Sequence, residues 1–398
     1  MREIAQCFQS MEGDPNPLRP FGARIAMGIF GTVLALSGLA PGRAAQTGSW
    51  QTVGSMAAGR HGGTATLLAD GTVLVTGGEG YQEGKYVDLA SAEIFDPKTS
   101  RFSLTSSMHG GRQFHRAVRL QDGRVLVLGG FGGDGHATAS AEVFDPTTAT
   151  FSRVGDMTVP RTLMTATLLR DGRVLVAGGG DDVTQTYYAS AELFDPATGR
   201  FQTTGSMAVA RVDHTAVLMA DGRVAFIGGD DGNQALRQIE VYDPSSGQFL
   251  SGGESLEARS SPSATLLAQG KILLAAGNQF DAIGQVVEVN SAEIYDPATQ
   301  QSILAGNLLA PLGGDHAAVA LEDGRILLAG GWAKANPPVA SGMAQLYDPA
   351  AGQLTLAAPM SSRRGEPTAV LLTDGRALVL GGLPTTGYPL ASAEAYTP

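Results

Sequence analysis

Apolar residues along this chain come in short runs, and the stretch from Arg161 to Ser206 shows how polar residues punctuate them. RTLMTATLL (Arg161 to Leu169) is apolar and rich in threonine, and Asp171-Gly172 follows it. An Asp-Gly pair between two apolar runs is the strongest short hairpin signal, and the expected turn is type I′. Arg173 to Ala177 then reads as a second strand ending on Gly178-Gly179, a doublet that signals close backbone approach. Ser190 to Phe194 reads as a third strand, and Phe201 to Ser206 as a fourth. Between them, Asp195-Pro196-Ala197-Thr198-Gly199 is a turn: Asp accepts local backbone bonds, Pro presets φ and Gly makes the left-handed exit. Three hairpins in a row predict a four-stranded antiparallel meander.

The same pattern recurs seven times after about residue 46. The hairpin turns are Asp70-Gly71, Asp122-Gly123, Asp171-Gly172, Asp221-Gly222, Gln269-Gly270, Asp323-Gly324 and Asp374-Gly375, spaced 48 to 54 residues apart. Glycine doublets begin at Gly77, Gly129, Gly178, Gly228, Gly330 and Gly381, whereas the fifth unit has Ala276-Gly277. Six third strands end in an aromatic-Asp-Pro turn, the first being Phe95-Asp96-Pro97 and the sixth Tyr347-Asp348-Pro349. No WD dipeptide ends a strand, which argues against a WD40 array. The last unit stops at Tyr396-Thr397-Pro398, short of a fourth strand, while Trp50 to Met56 matches the fourth-strand segment Phe201 to Met207. The N-terminal segment is therefore expected to complete the last blade and remove an exposed sheet edge.

At these residues the chain resembles the Kelch repeat, in the form found in secreted bacterial propellers and the galactose oxidase family. The resemblance covers about residues 50 to 398. It implies an all-β, seven-bladed β-propeller of four-stranded antiparallel blades around a central channel, closed by the N-terminal strand. It also raises the copper-radical chemistry of galactose oxidase, which needs a cysteine cross-linked to a tyrosine. The single cysteine is Cys7, in the leader, so that chemistry is argued against and no cofactor is expected.

Composition narrows the picture further. Residues 1 to 45 lie outside the repeats, with Arg19 and Arg24 ahead of an apolar run from Ile25 to Leu39 and small residues after it. This reads as a signal peptide, with an uncleaved anchor as the other reading; the run is short for a membrane span. A mature propeller over residues 46–398, periplasmic or extracellular and monomeric, is expected. The formal charge is −11; the leader carries four arginines against three acids, so its removal leaves −12 and no thiol. That balance argues against nucleic acid or an anionic membrane as partner.

Comparing units exposes three sets of candidate residues. Arg60, Arg112, Arg161, Arg211, Arg259 and Arg364 precede the first strands, and Glu93, Glu142, Glu192, Glu240, Glu293 and Glu394 lie in the third strands. The sixth unit has Gly313 and Gln345 and lacks both, so a buried bidentate pair within each blade, such as Arg161 with Glu192, is expected to serve the fold. Three residues further on, units two, four and six carry His115, His214 and His316. Their sharp reading is a three-histidine metal site; the plainer one is a template histidine bonded to backbone at the start of each inner strand. His61, His109 and His136 read as loop residues.

The third set is the loops after the doublets, where the units differ. The ligand-contact candidates are Tyr81, Phe131, Asp181, Asp182, Asp230, Asp231, Phe280, Trp332 and Tyr388. Aromatics among acids suit a protein or glycan partner bound at the channel mouth. Asp181-Asp182 and Asp230-Asp231 also admit a carboxylate-pair glycosidase, against a plainer reading as solvated loop acids. Nucleophile elbows and sialidase-type Asp boxes are absent from the sequence. The expected function is an exported recognition protein; the alternative is a metal- or carboxylate-dependent enzyme acting on a sugar or polysaccharide.

Overall fold

The computed structural model describes residues 47–398, except Asp182 and Asn336 and the side chains of Lys334 and Ala335. The expected leader, residues 1–45, therefore lies outside the described residues. Those described contain no helix and form seven four-stranded antiparallel sheets, with five two-stranded sheets beside them, four of which are hairpins. Blade 1 is Thr64–Leu67, Val73–Thr76, Ala92–Asp96 and Arg101–Leu104, and blades 2 to 6 follow in chain order. Blade 7 takes Thr368–Leu371, Ala377–Leu380 and Ser392–Thr397 from the end of the chain and its outer strand, Ser49–Ser55, from the beginning.

The closing register is the expected one: Trp50 faces Tyr396, Thr52 faces Glu394 and Val53 faces Ala393. Trp50 also donates through Nε1 to Ala358 O of blade 6 (2.6 Å) and packs on Tyr396 at 5.0 Å between centroids. The same inter-strand contact holds the repeats, as in Phe194 with Phe201 (4.9 Å) and Tyr242 with Phe249 (5.0 Å). So the aromatic before each Asp-Pro turn is an outer-layer core residue.

Each second strand is buried along its whole length, as Val174–Ala177 shows, because neighbouring blades cover both of its faces. The core is thus a series of layers between blades; one joins Val73, Val75 and Phe95 to Leu378, Leu380 and Ala393 across the closure.

The Asp-Gly turns differ from expectation. In the third, Gly172 N donates to Leu169 O (3.1 Å), Leu169 N donates to Arg173 O (2.8 Å), and only Gly172 has positive φ. This is a three-residue loop with glycine in the bulge position, not a type I′ pair. Asp171 caps it by accepting from Arg173 N (3.0 Å), which fixes the aspartate without left-handed backbone. The Asp-Pro turns follow expectation: Asp195 accepts from Ala197 N, and Gly199 exits at φ +66°.

Candidate functional site

The mouth of the channel is built by the repeated arginines. Arg161 Nη1 donates to Gly178 O (2.8 Å) and Ser190 O (2.9 Å), and its Nη2 donates to Ser190 Oγ (2.8 Å) and Glu192 Oε1 (3.1 Å). Glu192 Oε2 meanwhile accepts from Thr158 N (2.8 Å). The other five pairs are the same in kind, at 2.6 to 3.1 Å. The expected bidentate fork is replaced by one carboxylate contact, because the rest of the guanidinium holds the strand-end carbonyls. In blade 6, Gln345 accepts from Leu309 N (2.9 Å) and donates to Ala310 O (3.1 Å), so it needs no arginine.

The backbone of each arginine links to the blade before it. Gly179 N donates to Arg211 O (2.9 Å), Gly331 N to Arg364 O (2.8 Å), and Gly382 N to Arg60 O (2.9 Å), which closes the circle. A Cβ on Gly178 would stand 2.7 Å from Arg211 O, so this approach demands glycine there. In blade 5, Ala276 fills that place at φ +53°.

Two residues past each arginine position, the chain turns through positive φ at Gly62, Phe114, Leu163, Asp213, Ser261, Asp315 and Glu366. Six of these seven are not glycine, so the rim of the mouth carries unfavourable backbone held in place by the blades. Phe114 N donates to Gly62 O (2.7 Å) and Ser261 N to Asp213 O (2.8 Å), tying neighbouring blades at the rim. The side chains vary from blade to blade, with only Asp213 and Asp315 of one kind, and Asp213, Ser261, Asp315 and Glu366 form a polar arc over blades 4 to 7.

That arc is charged and frustrated. Asp315 opens to the channel yet is ringed by protein. The protein surroundings, together with Glu366 nearby, push its carboxyl up to about 7, against the opposing pull of Ser261 and Arg116. His61 is buried between two carboxylates: Nδ1 lies 2.8 Å from Glu366 and Nε2 lies 3.0 Å from Glu79. Burial opposes its protonation, but these two bonds outweigh it and raise the imidazole to about 9. Burial and Glu79 lift Asp88 to about 6. From the sequence, His61 reads only as a loop residue. The signal was available, since the positions one and two past the arginines vary from unit to unit while the strands repeat.

The other expected residues scatter. His115 Nε2 meets Thr64 and Thr76 Oγ1 (3.1 and 3.0 Å), His214 Nε2 meets Thr165 Oγ1 (3.0 Å), and His316 Nε2 meets Ser263 Oγ (2.8 Å). Each is a buried bolt to a hydroxyl of the preceding blade, and His316 Nδ1 also makes the expected backbone bond, to Gly313 O (3.1 Å). Burial holds all three well below the ordinary imidazole value. Among the described residues, no three His, Cys, Asp or Glu are placed to hold a metal.

Phe131 is buried, only 4 % exposed, and sits edge-on to Phe114 at 6.5 Å, so it is not an exposed contact residue. Trp332 is half-buried with its ring laid over Gly365 of blade 7. Phe280 is half-buried in an outer hairpin strand. Asp181 and Asp230 are also buried: Asp181 accepts from Val183 N and faces His136 (3.4 Å), while Asp230 accepts from Gly232 N and Ser260 Oγ (2.7 Å). Asp231 accepts from Asn233 N and Gln234 N within its turn. These acids order their loops, which corrects the reading of Asp181 and Asp230 as solvated loop acids; Asp182 lies outside the described residues. Tyr388, 48 % exposed, stacks on Tyr81 at 3.9 Å, with Tyr86 edge-on to Tyr81 at 5.1 Å, and this aromatic group joins blades 7 and 1 beside His61. Elsewhere a groove of about 500 Å³ lies between the Asp-Gly turns of blades 3 and 4, lined by Asp171, Asp221 and Asp243, at the far end of the strands from the mouth.

Comparison with known proteins agrees with this architecture. The Kelch motif matches residues 114–158, in the second unit. The rat tRNA wybutosine-synthesizing protein 4 is 35% identical over 79 residues, which is 18% of this chain and only 12% of that protein. A fungal alcohol oxidase of the AA5 family, solved in complex with copper, superposes with a TM-score of 0.68 at 17% identity over 88% of this chain and 76% of its own. At that identity the likeness is one of fold. The chain is a seven-bladed, four-stranded β-propeller that carries a Kelch motif.

Proposed function

We propose that this protein is an exported recognition propeller, residues 46–398 after loss of the leader, that binds a protein or glycan partner through the channel mouth. The observation that carries the reading is the rim: six non-glycine residues of five kinds held at positive φ, on a scaffold that otherwise repeats. Strain kept where the sequence varies is the mark of a surface selected for contact. Kelch propellers serve protein interactions in general, which supports a protein partner. The stacked tyrosines beside polar acceptors support a glycan equally well.

The test is a glycan array and an affinity capture with the secreted protein, followed by binding of the partner found to two variants. Tyr388→Ala and Glu366→Gln are each expected to weaken binding about tenfold, roughly 1 to 3 kcal/mol, with the melting temperature of Tyr388→Ala unchanged. Unaltered affinity in both variants would remove the mouth from the reading.

A second reading, an enzyme acting on a sugar, rests on Asp315, whose carboxyl the protein surroundings and nearby Glu366 hold well above the usual carboxylate range, as a general acid requires. Turnover of an array-identified glycan, lost in Asp315→Asn while binding persists, would put this reading first.

A further inference from the structure

Among the described residues, ten large hydrophobic side chains are exposed, and seven of them fall between Leu250 and Leu309, on blades 4 and 5 and the link into blade 6. Two sit in the outer strand of blade 5, Gln301–Asn307, where Ile303 is 61 % and Leu304 58 % exposed. The outer strands of blades 4 and 5, Gln248–Glu254 and Gln301–Asn307, are seven residues long, against four in blades 1, 2, 3 and 6. Both are sheet edges, which proteins ordinarily guard with charge. Residues 297–314 hold no charged side chain at all.

The repeat shows where these two blades depart from the rest. In blade 5, Leu304 lies in register with Glu293, and the same Glu293 accepts from Leu256 N (2.7 Å). The equivalent residues of blade 4 are Ser251, in register with Glu240, and Ala208, whose N donates to Glu240 (2.6 Å). In each blade one carboxylate therefore holds the two positions side by side. Two leucines make a ridge on blade 5. Serine and alanine leave a groove of about 330 Å³ on blade 4, lined by Ala208, Val209, Phe249, Leu250 and Ser251. Leu250 and Ile303 also correspond to each other, and the other five outer strands have Ser103, Ser152, Gln202, Thr355 and Gln51 at that place.

We propose that two copies of this chain join through blades 4 and 5 about a two-fold axis, the leucine ridge of blade 5 in each copy seated in the groove of blade 4 in the other. Ridge and groove occupy equivalent positions on adjacent blades, so an axis between them presents each to its counterpart. The contact is made twice and then closes, as an isologous dimer requires. Seven half-exposed aliphatic side chains, with the strands that carry them, reach the scale of the about 800 Å² per partner that a standard interface buries. Charge favours the same face. Each copy has a formal charge of −11, and two such copies meet with least repulsion where the surface is neutral. The contact uses the perimeter of the ring, so both channel mouths stay open and the proposal does not depend on what the mouth binds.

Sedimentation equilibrium on the purified protein, from about 1 to 100 μM, is expected to show a monomer passing to a closed dimer. High salt is expected to strengthen the association by screening the net charge of the two copies. Leu304→Ser, which copies blade 4, should weaken it at least tenfold. Ser251→Leu should weaken it as much by filling the groove, although it adds apolar surface; mere stickiness would instead increase. Both positions lie at the surface, and both variants should melt as the native protein does under conditions where it is monomeric. A native protein that stays monomeric at the highest concentration overturns the proposal and leaves the patch to a partner of another kind. Open-ended aggregation in place of a dimer overturns it, as does a dimer that weakens in high salt. It is also overturned if the folded Ser251→Leu protein associates as well as the native one.

Discussion

The arginine repeated in six blades shows how one side chain does several structural jobs at once. Arg161 closes its strand ends, holds Glu192 and offers its carbonyl to the glycine doublet of blade 2, all with no solvent exposure. Truncation to alanine leaves Glu192 buried without its cation, and an expected loss of about 3 to 5 kcal/mol follows, read by denaturant unfolding. The double change Arg161→Gly with Glu192→Gln copies blade 6, where Gln345 satisfies both backbone groups alone, so it should cost clearly less than the two single changes together. Strict additivity would show that the two residues act apart.

Asp315 carries the opposite sign. Its folded value of about 7 lies above the ordinary 3.8, so the native state binds the proton more tightly than the unfolded chain. The stability it contributes is complete below about pH 4 and is lost as pH rises through about 7. Asp315→Asn should therefore match the native protein in melting temperature at about pH 4 and melt higher at about pH 8. Parallel melting curves across that range would show that the carboxyl is not perturbed.

At the scale of elements, the strand Ser49–Ser55 does the work of a clasp. It supplies the whole outer edge of blade 7, and Trp50 and Val53 join two different inter-blade layers. Its removal exposes Ser392–Thr397 as an open edge and strips Tyr396 of its aromatic partner. The expected outcome is loss of the single sharp unfolding transition in calorimetry; a shortened protein that melts as the native one does would show that the clasp is dispensable. The outer hairpins work differently. Their aromatics lean on glycines of the next blade, as Trp332 does on Gly365 and Tyr187 on Gly232, so these loops belong to the packing between blades as well as to the surface.

For the molecule as a whole, the circle of glycine-to-arginine bonds and the layers between blades leave no blade independent of its neighbours. Seven equivalent blades bring seven rim positions to one mouth, and the divergence of those positions is what gives a repetitive scaffold an individual surface. Charge is concentrated there: Glu79, Asp88, Asp213, Asp315 and Glu366 face His61 and Arg116.

The sequence alone determined the blade count, the strand order, the closing strand and the partnership of each arginine with its own glutamate. All of these repeat, and a signal written six or seven times is legible in one chain. It also set residues 1 to 45 apart from the repeats by composition. Tertiary structure decided what does not repeat. His61 is one residue in a loop by sequence, and only closure of blade 7 onto blade 1 brings Glu366 to it from 305 residues away. Phe131 has the look of a contact residue until the fold buries it against Phe114. Asp315 and Glu366 stand in separate units, and their coupling exists because the ring places neighbouring rims side by side. Periodicity fixes what each blade is, whereas the charge state and neighbours of a mouth residue depend on distances between blades, which no local pattern encodes.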